Sequence, residues 1–164
     1  MVTLFAQPYN IHAQGFYFET AEDYDKSAKN CVDTYGVPIE EFEIQFIDGE
    51  DIDCRLFQAW GVYQKDIYPF FDALDTLNEH EKIALIAMAE CGYTIDGETN
   101  TEDIELHYCE NLEELAYRFV DEGLYGPIPE SISRYIDYEA IAQDLGFEYS
   151  ELRVANQTVL FRCP

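Results

Sequence analysis

Carboxylates recur along this chain from Glu19 to Glu151 without gathering into a tail, and that spacing constrains the fold more than any other feature. Thirty-four Asp and Glu stand against nine Lys and Arg, a formal net charge of −25 over 164 residues. Each element must keep a polar face in water, because an unpaired carboxylate is rarely buried. Self-repulsion on this scale costs stability at low salt, and an apolar core has to offset it. The material is present: hydrophobic residues make up 48% and aromatic residues 15%, which excludes a disordered acidic chain. The length suits one domain or two to three small ones.

The hydropathy pattern predicts no membrane span, since no 18-residue apolar run occurs. Met1 to Asn10 lacks the basic and long apolar regions of a secretory signal. Five cysteines, Cys31, Cys54, Cys91, Cys109 and Cys163, show no CxxC spacing and read as reduced, mostly buried thiols in a cytoplasmic protein.

Along the chain, residues 2–18 are strand-like around a polar break from Pro8 to Gly15. Thr20, with Asp23 three residues on, predicts the cap of a polar helix to about Tyr35. Phe42, Ile44 and Phe46 alternate with Glu43 and Gln45, a half-buried strand, and Asp48 to Asp53 reads as an acidic turn. Leu56, Phe57 and Trp60 begin an apolar cluster, and Ile67, Phe70, Phe71 and Leu74 have helical spacing. Asn78 predicts the cap of a nearly apolar helix to about Cys91. Leu106 to Cys109 predicts a strand. Asn111, with Glu114 as its partner, predicts an amphipathic helix closed by Gly123. A short helical turn follows Pro129, Asp137 caps a helix from Tyr138 to Leu145, and Leu152 to Cys163 reads as a hairpin. The elements are segregated rather than in βαβ repeats, which predicts an α+β fold. The boundaries fall into an N-terminal α+β domain (1–60), a helical middle domain (61–103) and a C-terminal α+β domain (104–164).

Motifs for catalysis or metal binding are weak. His12, His80 and His107 have no ligand spacing among themselves, and Ala84 stands where an HExxH motif needs its second histidine. Asp48 to Asp53 fails as an EF-hand loop, with glycine second rather than sixth. Phosphate loops and nucleophile elbows are absent. No cofactor, metal or catalytic residue is assigned. The basic residues are scattered, which argues against nucleic acid as a partner, and the charge argues against an anionic membrane.

The natural partner of such a chain is a strongly basic protein surface, and the largest class of these grips DNA. At two phosphates per base pair, 34 carboxylates match the charge of about 17 base pairs. The carboxylates that suit this role are Glu19, Glu22, Asp23 and Asp25 on the first helix, then Glu40, Glu41, Glu50, Asp51 and Asp53 around the strand and turn. Asp96, Glu98, Glu102, Asp103, Glu105, Glu110, Glu113 and Glu114 form the densest run, followed by Asp121, Glu122, Asp144 and Glu148. A solvated surface that serves solubility alone is the plainer reading of the same residues.

Residues 124–145 read LYGPIPESISRYIDYEAIAQDL. Leu124, Pro129-Glu130, Tyr135-Ile136-Asp137-Tyr138-Glu139 and Asp144-Leu145 resemble the antirestriction motif of the ArdA family, and the helix before them is similar as well. The close match covers about 35 residues. The resemblance implies an elongated row of small α+β or helical domains, encoded on mobile elements, that dimerises at or near this motif. It implies a DNA mimic that binds type I restriction–modification enzymes in place of DNA and inhibits them. Gly126-Pro127 and Gln143 depart from the family, which has a more acidic approach at the first and commonly a basic residue at the second. From the residues alone, Asp137 is a helix cap, Pro129 a helix starter, and Tyr135, Ile136 and Tyr138 an apolar payload. Structural or dimer-forming roles therefore stand beside direct contact with an enzyme. The alternative is an acidic interaction protein that inhibits another DNA-binding enzyme or a nuclease, or scavenges basic proteins, which shares the charge but not the restriction target. A hydrolase with a carboxylate pair and a calcium-binding protein are the remaining alternatives.

Overall fold

The computed structural model describes residues 1–164. It is an α+β protein with seven α-helices and two antiparallel three-stranded sheets. Two compact units divide the chain, Met1–Thr101 and Glu102–Pro164.

In the first unit, β1 (Thr3–Pro8) is the middle strand, flanked by β2 (Phe16–Phe18) and β3 (Phe42–Asp48). Leu4, Ala6 and Pro8 alternate into the core, and Leu4 lies between Phe18 and Phe46 in register. Gly15 permits the return to β2, since a Cβ there would stand 2.4 Å from the Phe5 ring and 2.5 Å from the Ala6 carbonyl oxygen. Helix α1 (Ala21–Asn30) is capped by Thr20, whose hydroxyl accepts from the Asp23 amide at 3.1 Å. It ends five residues earlier than the sequence predicts. Cys31 is extended, and bridges Ala13↔Asp33 and Val32↔Pro38 engage the residues that follow.

The predicted acidic turn at 48–53 is in part a helix start: α2 (Asp51–Trp60) begins there, with Asp51 and Asp53 in the first turn. The positive end of the helix dipole favours acids at that place. Gly61 closes α2 in the left-handed region at φ 67°. A 3-10 turn, Gln64–Asp66, leads into α3 (Ile67–Thr76), and α4 (Glu79–Glu90) follows. At the start of α4, Asn78 Oδ1 accepts from the Glu81 amide at 3.0 Å, and the Asn78 amide donates to Glu81 Oε2 at 2.8 Å. Ile83 through Met88 are all buried.

A run of ring contacts, Tyr24–Phe18–Phe71–Phe70–Phe57–Phe46, passes from α1 and the sheet through α3 to α2 and back to β3. Full burial of a side chain such as Phe70 stabilises by about 1.5–3 kcal/mol. Within this unit α2 packs against α4.

In the second unit, β6 (Gln157–Arg162) is the middle strand between β4 (Glu105–Tyr108) and β5 (Ser150–Val154). Ala155 and Asn156 turn the hairpin at φ 50° and 61°, the geometry of a two-residue turn. Helix α5 (Leu112–Asp121) packs on α7 (Tyr138–Leu145), and the short α6 (Glu130–Ser133) lies between them in sequence. Leu115, Ala116, Phe119, Leu145, Tyr149 and Leu160 form the core with Cys109. Cys31, Cys54 and Cys109 are free thiols, so the reading of reduced cysteines holds for these three and not for Cys91 and Cys163. Only Cys31 and Cys109 are buried.

Candidate protein-binding surface

Most of the carboxylates singled out from the sequence stand in water. In the first unit, Glu19, Glu22, Asp23, Glu40, Glu41, Glu50, Asp51, Asp96 and Glu98 are exposed. Glu19 and Glu22 line an open cleft of about 570 Å³ together with Asp72 and Asp75 of α3. These last two escaped the sequence reading. Their spacing of three on a helix, one turn apart beside the buried Phe70 and Ala73, is the signal that places both on an outer face. Asp25 is half-buried and accepts from the Tyr68 hydroxyl at 2.9 Å. That bond to a carboxylate, with some desolvation, pushes the phenol above its usual range.

Asp53 is the exception. It is 7% exposed, and Lys82 of α4 meets its Oδ1 at 2.8 Å. The pair ties α2 to α4, so Asp53 has no free charge to offer a partner.

In the second unit, Glu102, Asp103, Glu110, Glu113, Glu114, Asp121, Glu122, Asp144 and Glu148 are exposed. Glu114 serves the start of α5 in a way the sequence did not indicate. Asn111 Oδ1 accepts from the Glu114 amide at 2.9 Å, but the Glu114 carboxylate turns to the Glu110 amide at 2.6 Å. It also lies 3.6 Å from Arg118, one helical turn on.

Glu105 is half-buried and fully engaged. Its Oε1 accepts from the Tyr149 hydroxyl at 2.6 Å and lies 2.7 Å from His107 Nε2, and its Oε2 lies 2.5 Å from Arg162. Arg162 also reaches Glu148 at 3.2 Å and sits over the Tyr149 ring. Burial alone would raise the Glu105 carboxyl, but the bonds from Tyr149 and His107 and the Arg162 charge outweigh it and bring it below its usual range. Burial and the bond to Glu105 push the Tyr149 phenol strongly upward.

The motif residues divide by task. Asp137 caps α7, its Oδ1 accepting from the Ala140 amide at 3.0 Å, and Pro129 precedes α6. Tyr138 packs against the core and stacks on Tyr117, with ring centroids 3.8 Å apart and planes 24° from parallel. Ile136 is half-buried, while Glu130 and Glu139 are exposed. Leu124 and Tyr135 are exposed too, as are Tyr125 and Ile132 beside them in sequence.

With nine cations for 34 carboxylates, 25 negative charges remain in excess, and most of the acids named above are exposed. The class this defines is an acidic α+β protein with a charged, water-facing surface. The family model described as antirestriction protein (ArdA) matches residues 12–159 of the 164, and the chain belongs to that family. Its members are inhibitors, not known as enzymes, and membership implies an antirestriction protein that binds restriction enzymes. No curated protein matches the chain. No helix is long and apolar enough to cross a membrane.

Proposed function

We propose that this protein mimics DNA and inhibits type I restriction–modification enzymes by occupying their DNA-binding groove. The observation that carries the reading is the excess of exposed carboxylates on both units of an ArdA-family chain. Each exposed carboxylate stands in for a phosphate and pairs with a lysine or arginine of the enzyme. Such pairs are weak singly, about 0.2–1 kcal/mol each, so affinity comes from their number. It follows that binding weakens steeply with salt, as the field of each charge is screened within about 8 Å at physiological ionic strength. Asp53 and Glu105 drop out of this set because internal partners already take their charge.

The protein acts in the cytoplasm, where restriction takes place, and is encoded by a mobile element that needs protection on entry. It works as a homodimer. The exposed Leu124, Tyr125, Ile132 and Tyr135 supply the apolar face for that contact, and the only charges between residues 124 and 136, Glu130 and Arg134, balance. A twofold pair suits a target that reads two half-sites.

The test is displacement. A purified type I enzyme is held on labelled target DNA, and the protein is titrated in at two salt concentrations. Release at near-stoichiometric amounts, weaker at the higher salt, is the expected result. No release from any of several type I enzymes would sink the proposal. Release from a nuclease instead would mark a general inhibitor of DNA-binding enzymes.

A further inference from the structure

The first unit carries a surface that the charge-based reading leaves unused. Residues 9–15 and 31–39 hold one carboxylate, Asp33, and no lysine or arginine. The two loops are joined by the Ala13↔Asp33 bridge and by the Thr34 amide, which donates to the His12 carbonyl at 3.0 Å. Asp33 locks them. Its Oδ1 accepts from the Tyr35 and Val37 amides at 2.8 and 2.9 Å, and its Oδ2 from Asn10 Nδ2 at 3.3 Å. The His12 and Tyr35 rings meet edge to face at 5.8 Å. This well-tied frame presents Ile11 at 90% exposure, Tyr35 at 78% and Tyr9 at 66%, with Val37 and Val32 about half exposed.

From this we infer a docking surface for uncharged, apolar side chains of the target enzyme beside its cationic groove. The inference rests on the inhibitor reading above. Charge selects the occupant. A lysine or arginine placed here would lose its water and find the one carboxylate already bonded three times. A second copy would bring two acidic rims together, since Glu40 and Glu41 are exposed at the edge where the Tyr9 amide meets the Glu41 carbonyl. Lys26 lies beside His12 and Thr34 on another rim. An enzyme held by its cations on those rim acids presents neither obstacle. The loops are ordered before contact, which lowers the entropic cost of docking.

The test separates apolar from ionic binding. Affinity for a purified type I restriction–modification enzyme is measured over a series of salt concentrations for the wild type, the Ile11→Ser/Tyr35→Ser double variant and the Glu40→Gln/Glu41→Gln control. Both residues of the first pair are exposed, so an unchanged melting temperature is expected. The apolar variant should bind about tenfold more weakly at every salt, with the slope of log Kd against log salt unchanged. The charge control should flatten the slope. Wild-type affinity in the apolar variant at all salts, or a changed slope, overturns the docking surface and leaves the DNA-mimic reading intact. Failure of the wild type to bind in a salt-dependent way overturns both. If sedimentation shows a wild-type assembly that the apolar variant loses, the occupant is a second copy and the assignment to the target is wrong.

Discussion

Asp53 and Glu105 are acidic residues turned inward in different units, and they are held in opposite ways. Asp53 meets a single cation, Lys82, with both side chains only about a tenth exposed. Glu105 shares its charge among Tyr149, His107 and Arg162 and keeps a third of its side chain in water. A lone buried pair has no substitute when one member goes, and the survivor is left charged without solvent. A shared, half-wet carboxylate loses one bond at a time and can recruit water. The first arrangement adds a single ion pair to the packing of two helices. The second ties β4 to β6 and to the segment after α7 through several smaller contacts.

Removing Lys82 should produce the largest effect. Lys82→Met leaves Asp53 uncompensated between α2 and α4 and should destabilise the first unit by about 3–5 kcal/mol. Urea unfolding followed by the fluorescence of Trp60, the sole tryptophan, measures it. Adding Asp53→Leu should recover most of the loss. If the single variant unfolds like the wild type, the pair does not hold the helices.

Glu105→Gln should cost less, about 1–2 kcal/mol, because the amide still accepts from Tyr149 and water reaches the site. Its clearest mark is in the pH dependence. The Glu105 carboxyl lies below its usual range in the folded chain. Its contribution is therefore complete above the unfolded value, near 4.3, and is lost as pH falls through the lower folded value. Melting temperature followed from about pH 6 down to about pH 3 should fall less steeply in the variant than in the wild type. Equal acid limbs would show that the network adds nothing to stability.

The two asparagine caps extend the same contrast on a smaller scale. Asn78 exchanges two bonds with Glu81, whereas at Asn111 the partner carboxylate has gone to Glu110. Each Asn→Ala change should cost about 1 kcal/mol in thermal melts. Each change removes the one bond that the asparagine side chain accepts, and the Asn78→Ala variant would keep the backbone amide that donates to Glu81. The smallest change is expected from a single exposed acid. Glu22→Gln should leave the melting temperature unchanged and weaken inhibition by no more than about 0.2–1 kcal/mol in a competition assay. Loss of inhibition from that one substitution would contradict distributed mimicry.

Local signals survived folding well where a few adjacent residues settle the outcome. Thr20, Asn78 and Asp137 cap the helices they were expected to cap, and the alternation of Phe42, Ile44 and Phe46 made its strand. The misses came where distant residues intervene. The residues from Val32 to Pro38 form bridges instead of extending α1, because Ala13 and Pro38 supply pairing that a helix would forgo. Asp51 and Asp53 read as a turn by composition, yet the same acids are favoured at a helix start, and α2 takes them. Of the carboxylates assigned to a binding surface, position along the chain identified the exposed majority but not the buried Asp53, nor Asp72 and Asp75 in the acidic cleft.

The sequence by itself determined the net charge, the caps, the strand and helix periods and the motif from Leu124 to Leu145, since each depends on composition or on neighbours within a few residues. Only the tertiary structure decided which acids remain available. That depends on whether a cation from a remote segment arrives, as Lys82 does for Asp53 across 29 positions and Arg162 for Glu105 across 57, and no local pattern encodes such a meeting.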